Sequence, residues 1–333
     1  MRIIVVLTII ILTAISCRTN NLAIVKLDDK FGCIDRKGNF VIKPTWDWML
    51  QGDKQILVKK DSLYGFLDKK GKIIISPKYK DGMIFYEGLA AVSNGEKYGF
   101  INIKCDTVIP FIYDDVFLGF SNGLSDVTKN DSCGYIDKKG NVIIPFKYET
   151  CYPFLSKLST VYTFDEETKL IDKQGQLSDL MKENYKKLRL WELDTRPGSF
   201  IQTKTGRGRI CEKGDTLIPP IYSSVSYFIE KRSIVKLNEL YGLYNNKGEL
   251  ILKPQYQNID VFSEGLAAFK FNDKWGYLDK QGKVAIPPTY EYVGRFSKGL
   301  AYVEANGKVG FIDKEGKMAI EPRFQLNRWT KFE

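Results

Sequence analysis

Short apolar runs separated by polar turns recur along the chain at a steady interval. In one clear stretch, Phe66 and Leu67 precede Asp68 and Gly71, and Ile73, Ile74 and Ile75 lead on to Pro77. Apolar runs this short, bounded by Gly and Pro, predict strands and not helices. The glycine that follows an aromatic is the best marker of each copy. It stands at Gly32, Gly65, Gly99, Gly134, Gly208, Gly242, Gly276 and Gly310, although some copies lose the aromatic. Between Gly134 and Gly208 one copy is degraded, with Lys169 in the glycine's place. Successive spacings along these positions are 33, 34, 35, 35, 39, 34, 34 and 34. A period near 34 over most of the chain predicts a repeat architecture.

The better copies share one pattern. It runs aromatic-Gly, two apolar residues, Asp-x-x-Gly, an apolar strand with Pro, then an aromatic. Six residues after that aromatic comes Phe, followed by Gly-Leu-Ala-x-Val. The second copy shows it as Tyr64-Gly65, Asp68, Gly71, Pro77, Tyr79, Phe85 and Gly88-Leu89-Ala90-Ala91-Val92; the eighth as Trp275-Gly276, Asp279, Gly282, Pro288, Tyr290, Phe296 and Gly299-Leu300-Ala301-Tyr302-Val303. Strand, Asp-x-x-Gly, strand predicts a hairpin: Asp bonds backbone N–H groups and Gly supplies positive φ. Lysines between them are expected to project into water. Pro is expected to end the second strand. Gly-Leu-Ala-x-Val predicts a third strand, and the aromatic before the marker glycine is expected to lie across a neighbouring unit. In the third copy Cys105 replaces the turn glycine, which predicts another turn type. Three short strands cannot bury their own apolar face, so units are expected to stack on their neighbours.

These residues resemble the bacterial WG-repeat proteins, named for the Trp-Gly pair present here at Trp275-Gly276. The resemblance covers roughly residues 22–330. Other copies carry Phe31, Tyr64, Tyr98, Cys133, Arg207, Tyr241 or Val309 in place of Trp. It implies a secreted or surface-linked repeat protein and brings no catalytic residue with it.

The fold expected is an all-β tandem array of ~34-residue three-stranded meanders forming a curved open array; a closed propeller-like ring is the alternative. The ends bear on that choice. Leu22 stands ten residues before Gly32, as Leu89 does before Gly99, so the repeats open on a third strand. At the other end Pro322 and Phe324 match Pro288 and Tyr290, but no third strand follows. Residues 165–205 depart from the pattern. Leu177, Leu180, Met181, Tyr185 and Leu188 fall at helical spacing with Ser178 as a cap, which predicts a helical insertion over a degenerate repeat. The repeats therefore divide into 22–164 and 206–333.

The first residues change the cellular picture. Arg2, an apolar stretch from Ile3 to Ile15, then Ser16 and Cys17 have the form of a secretory signal and are too short to span a bilayer. Ser16-Cys17 resembles a bacterial lipoprotein signal, although Ala14 stands where Leu is usual. It implies cleavage after residue 16, lipidation of Cys17 and a tether over residues 17–21, with the protein held on the cell envelope.

Composition removes some chemistry. The chain holds 20 Phe, 19 Tyr and 5 Trp and no His, which excludes mechanisms that need imidazole. The formal charge of +10 arises from 50 basic and 40 acidic side chains, mixed along the chain. It permits an anionic partner without requiring one. Cys33, Cys105, Cys133, Cys151 and Cys211 are odd in number and form no C-x-x-C pair, so neither a disulfide framework nor a zinc site is expected. Cys33 and Cys211 read as small buried hydrophobes. Asp35, Asp68, Asp137, Asp172, Asp279 and Asp313 share one turn slot, which turn chemistry explains without catalysis. No catalytic, metal or cofactor site is expected, and nucleic acid is not an expected partner. The turn-tip lysines, with Arg36 and Lys37 in the first copy, would form a basic strip able to meet anionic glycan. Exposed aromatics between units would suit sugar or peptide. The function expected is a non-enzymatic, membrane-anchored binding or scaffolding module with a protein or anionic glycan partner. A glycan-acting hydrolase and a structural spacer are the alternatives.

Overall fold

The computed structural model describes residues 22–155, 157–165, 167–177, 199–211, 216–326 and 330. The expected lipidation site Cys17 and the helical run after Leu177 lie outside the described residues. Within them every regular element is a strand. The strands form nine antiparallel sheets in chain order, over residues 23–46, 48–79, 81–113, 115–148, 150–172, 199–222, 224–256, 258–290 and 292–324; six have four strands and three have three. The all-β repeat array read from the sequence is what forms.

The first sheet holds β1 (Ala23–Leu27), β2 (Lys30–Ile34) and β3 (Phe40–Trp46). The second holds β4 (Trp48–Gln51), β5 (Gln55–Lys60), β6 (Leu63–Asp68) and β7 (Ile73–Tyr79). The predicted Gly-Leu-Ala strand exists but belongs to the sheet of the next marker glycine: Ala90–Ser93 pairs with Tyr98–Ile101. The structural unit therefore starts about half a period before the sequence unit. A tight turn joins these strands. Asp61 and Ser62 both have positive φ (50° and 66°), as do Asn130 with Asp131 and Asn272 with Asp273. Two such residues in succession match the right-handed strand twist, and Asn and Asp tolerate them best. Across this hairpin the marker faces an apolar partner, Val58↔Gly65 and Phe269↔Gly276, and Lys169 faces Val161 in the degraded copy.

The marker glycine is needed inside its own unit. Between β6 and β7 the register slips by two residues, from Tyr64↔Tyr79 to Phe66↔Ile75. The resulting bulge presses on Gly65, where a Cβ would lie 2.6 Å from both the Ile75 carbonyl oxygen and the Pro77 nitrogen. Pro77 therefore sits in the bulge, and the strand continues to Tyr79 instead of ending at the proline. A proline and a bulge on an edge strand also interrupt the N–H row that would recruit another chain.

The Asp turn is as predicted. Asp68 Oδ1 accepts from the Lys70 and Lys72 amides at 2.8 and 2.9 Å, and the Gly71 amide donates to the Asp68 carbonyl at 3.1 Å. The third copy keeps this turn, contrary to expectation. Asn102 Oδ1 accepts from Lys104 and Asp106, and Cys105 takes the glycine's place at φ 69°. Left-handed backbone is strained for a residue with a Cβ. Cys105→Gly is expected to stabilise the protein by about 0.5–1 kcal/mol, less than the full strain because the Tyr79 Oη contact at 3.2 Å is lost. Chemical denaturation checks this, and an unchanged or lower midpoint contradicts it.

The apolar core lies between units. Seven of the eight clusters of buried hydrophobics span a join between two consecutive sheets, and the eighth joins the last sheet to the first; Ile42, Trp46, Ile56 and Val58 form one such join. The consensus Phe supplies a recurring contact. Phe85, Phe120, Phe154 and Phe296 meet Phe66, Phe100, Tyr135 and Tyr277 of the preceding unit at 4.7, 4.9, 4.9 and 4.8 Å between ring centroids. Burying one such ring stabilises a join by about 1.5–3 kcal/mol. A single unit lacks this core, which is why the copies occur in series.

The two ends of the array meet. The Gln325 amide donates to the Lys26 carbonyl at 2.9 Å, as Asp47 does to Lys59 and Glu291 to Glu304 inside the array. Gln325 Oε1 accepts from the Asp29 amide at 3.1 Å, the bond that Asp47 makes with Asp61. A Cβ on Gly38 would meet Ile320 of the last sheet, as one on Gly71 would meet Ile42 of the sheet before it. The chain's end thus supplies the missing edge of the first sheet, and a buried cluster shared by Val25, Ile34, Phe311 and Phe324 fills the join. This is the end-to-end arrangement that the sequence left as the alternative.

Candidate functional site

Register places one row of side chains across each sheet. In the second unit Trp48, Lys59, Tyr64 and Tyr79 stand in line on one face; in the eighth, Asn258, Lys270, Trp275 and Tyr290 do. The marker aromatic lies inside this cross-strand row and, as predicted, also packs against the neighbouring unit, where Trp275 meets Tyr292 of the ninth sheet. Lys59 and Lys236 place their ammonium groups 5.0 and 5.5 Å from the ring centroids of Tyr64 and Tyr241. Such pairs are worth about 0.5–1 kcal/mol at exposed sites.

The lysines at the Asp turns are not the free basic strip the sequence suggested. Lys138, Lys280 and Lys314 reach back one unit to Glu87, Glu230 and Glu264 at 3.0, 2.8 and 3.1 Å. The same glutamates accept from the amides of Gly123, Gly265 and Gly299 in the following unit. Lys69 and Lys173 donate to the carbonyls of Gly52 and Asn122. All but Lys69, whose bond to Gly52 stays within the second unit, clasp successive units together. Burial opposes the charge on Glu264, but Lys314 and the backbone donors outweigh it and hold its carboxyl below the usual range. The second turn lysines, such as Lys70 and Lys139, remain exposed.

Exposed aromatic surface gathers at the join of the eighth and ninth units. Tyr292 is 44% exposed and stacks on Tyr302 at 6.2 Å and 25° between planes. Trp275 meets Tyr292 edge to face at 5.8 Å. Beside them Arg295 makes a bidentate pair with Asp260, both bonds 2.7 Å, which raises the guanidinium pKa further. Tyr302 lies over Gly294, where any Cβ would collide with its ring. An aromatic platform next to an anchored guanidinium offers flat apolar contact and fixed donors together, the composition favoured at binding surfaces. Trp275 was marked by the sequence as the motif's own residue. Tyr292 and Arg295 had no motif to mark them, since only register brings them to Trp275.

The other expected residues fall as follows. The turn-slot aspartates bond their own turns. Cys33 is buried, and burial pushes its thiol up to about 12; Cys211 is half-buried. The expectation of no disulfide is overturned: Cys133 and Cys151 are joined, with Cα atoms 5.9 Å apart. They lie on neighbouring units, and no spacing rule links two cysteines that only stacking brings together. A shallow hollow of about 300 Å³ beside Tyr148, Phe164 and Lys169 lies at the same join.

The sequence model of the WG containing repeat matches residues 31–51, 64–98, 98–133, 134–161, 212–241, 241–275, 275–308 and 310–326. The chain belongs to the WG containing repeat family. No curated protein matches it. Among solved structures, the chain is similar to a eukaryotic initiation factor at 7% identity, over 93% of this chain and 98% of that one, with a TM-score of 0.53. BamB from Moraxella catarrhalis is 9% identical over 91% of this chain and 85% of that one, with a TM-score of 0.30. The computationally designed Ika8 protein is 8% identical over 83% and 87%, with a TM-score of 0.31. The first likeness shows a shared fold alone. The WG repeats and this fold fit a binding or scaffolding module.

Proposed function

We propose that this WG-repeat protein is a non-enzymatic binding module on the outside of a bacterial membrane, with the aromatic platform at Trp275, Tyr292 and Tyr302 as its contact surface. The exposed, stacked Tyr292 is the observation that carries this reading. The partner we favour is a carbohydrate of the cell envelope: stacked rings suit the flat apolar faces of sugars, and Arg295 would favour an anionic one. The anchor belongs to the same proposal, with residues 1–16 as a cleaved signal and Cys17 as the lipidated residue. The Cys133–Cys151 bridge supports an oxidising compartment.

Incubation of the purified protein with a panel of glycans and envelope extracts tests the binding role. Tyr292→Ala is expected to weaken a saturable interaction by about tenfold, roughly 1.4 kcal/mol, while the protein stays folded, because the ring is partly exposed and outside the buried core. A captured envelope protein in place of a glycan would redirect the reading to a protein partner. Silence across the panel would favour a spacer. Fatty-acid labelling tests the anchor, and label that survives Cys17→Ser rejects it.

A further inference from the structure

Three carboxylates on the third and fourth units stand apart from the clasps and from the aromatic platform. Asp81 and Asp115 occupy the same position in successive units, the first residue of a two-residue edge strand. Asp115 pairs with Thr128, and Asp126 lies two residues back along that strand on the same face. Opposite residues on paired strands share a face, and the diagonal neighbour is about 7–8 Å away. Electrostatic reach joins the group: Asp115 acts on Asp126, and Asp81 on Asp115.

No described cation neutralises any of the three. Asp114, one residue away, is ion-paired to Lys97, as Asp47 is to Lys30 and Asp260 to Arg295. Asp126 is 4% exposed; its Oδ2 accepts from the Phe117 amide at 3.2 Å, and its Oδ1 has no partner. Equivalent positions elsewhere hold apolar residues such as Ile24, Leu57, Ala91 and Ala268. In a chain of net charge +10, three carboxylates without a positive partner form a local exception. Aromatic side chains flank them. Tyr98 Oη donates to Asp81 at 2.5 Å on one side, and Phe117, 50% exposed, meets Tyr152 at 5.6 Å on the other. Among the described residues no such group is arranged to hold a metal ion. The carboxylates are strung along two edge strands and the inner strand of Asp126 instead of converging on one point.

We propose that Asp81, Asp115 and Asp126, with Tyr98 and Phe117 beside them, form a binding site for an alkylammonium group. The carboxylates supply acceptors spaced for a chain bearing more than one amine, and the rings supply the cation–π and apolar walls that its methylene segments require. The buried Asp126 is the innermost acceptor, and its unpartnered oxygen is the bond that an ammonium donor would complete. The same chemistry reaches the site from two sources, a free polyamine or a lysine side chain on a peptide. The proposal does not rest on the aromatic platform.

Titration calorimetry of the purified protein tests it, with spermidine as one probe and a short peptide of alternating lysine and alanine as the other. The wild-type protein is expected to bind at least one saturably. Asp115→Asn, on an exposed side chain, is expected to weaken that binding at least tenfold, and Asp81→Asn likewise. Asp106→Asn, in an exposed turn of the third unit, is expected to leave it unchanged. Binding of the peptide alone assigns the site to a protein ligand, and binding of spermidine assigns it to a free polyamine; both support the proposal. No binding of either probe, or binding that Asp115→Asn leaves intact, overturns it.

Discussion

Asp126→Asn is expected to make the protein more stable, and by more at pH 8 than at pH 5. Asp126 is almost fully buried, and burial pushes its carboxyl up to about 7, with the amide of Phe117 opposing the shift and the charge of Asp115 adding to it. A carboxyl whose folded pKa lies above its unfolded one binds its proton more tightly when folded. Its penalty is therefore full above about pH 7 and fades as pH falls towards the unfolded value near 4. At about 1.4 kcal/mol per pH unit the difference is on the order of 4 kcal/mol. The asparagine keeps the acceptor for Phe117 and removes the charge, so the gain measured at pH 8 is a few kcal/mol and shrinks at pH 5. Thermal unfolding at several pH values reads it, and a gain independent of pH refutes it. Asp35 and Asp137 slope the other way: burial opposes their charge, but the side chains of Asn39 and Asn141 and the turn's backbone donors hold them low, so their stabilisation is lost as pH falls through those depressed values. At the proposed ammonium site Asp126→Asn gains stability while losing affinity, the trade-off expected where a site holds an uncompensated charge.

Opening the Cys133–Cys151 bridge is expected to lower stability by about 3 kcal/mol. The bridge closes a loop with a sequence separation of 18, and the chain-entropy model gives about that value for such a loop. It staples the fourth unit to the fifth, where Val161, Phe154 and Ile171 pack against Tyr135 and Ile144. Cys133 stands at the marker-aromatic position, so the covalent link replaces an aromatic of the cross-strand row. The test is denaturant unfolding of the Cys133→Ser, Cys151→Ser protein. Reductant should reproduce the loss in the wild-type chain and have no effect on the double variant. A wild-type midpoint indifferent to reductant would count against the bridge.

Much of the candidate surface was legible in outline. Trp275 announces itself as the family's own residue, but Tyr292 and Arg295 reach it only through strand register. The lysines at the turns were identified correctly as a repeated feature and misread as free. Each ion-paired clasp partner is a glutamate in the preceding unit, 50 or 51 residues away, and no local pattern connects them.

By itself the sequence determined the period, the Asp-x-x-Gly hairpin, the Gly-Leu-Ala strand and the need for units to cover one another. Those features depend on residues a few positions apart, whose turn geometry and apolar pattern are set locally. Only the tertiary structure decided which strands share a sheet, that Gln325 completes the edge beside Lys26, that Cys133 meets Cys151, and that Asp126 is buried without a cation. Each of these depends on stacking, which brings together positions remote along the chain and leaves no short-range signature.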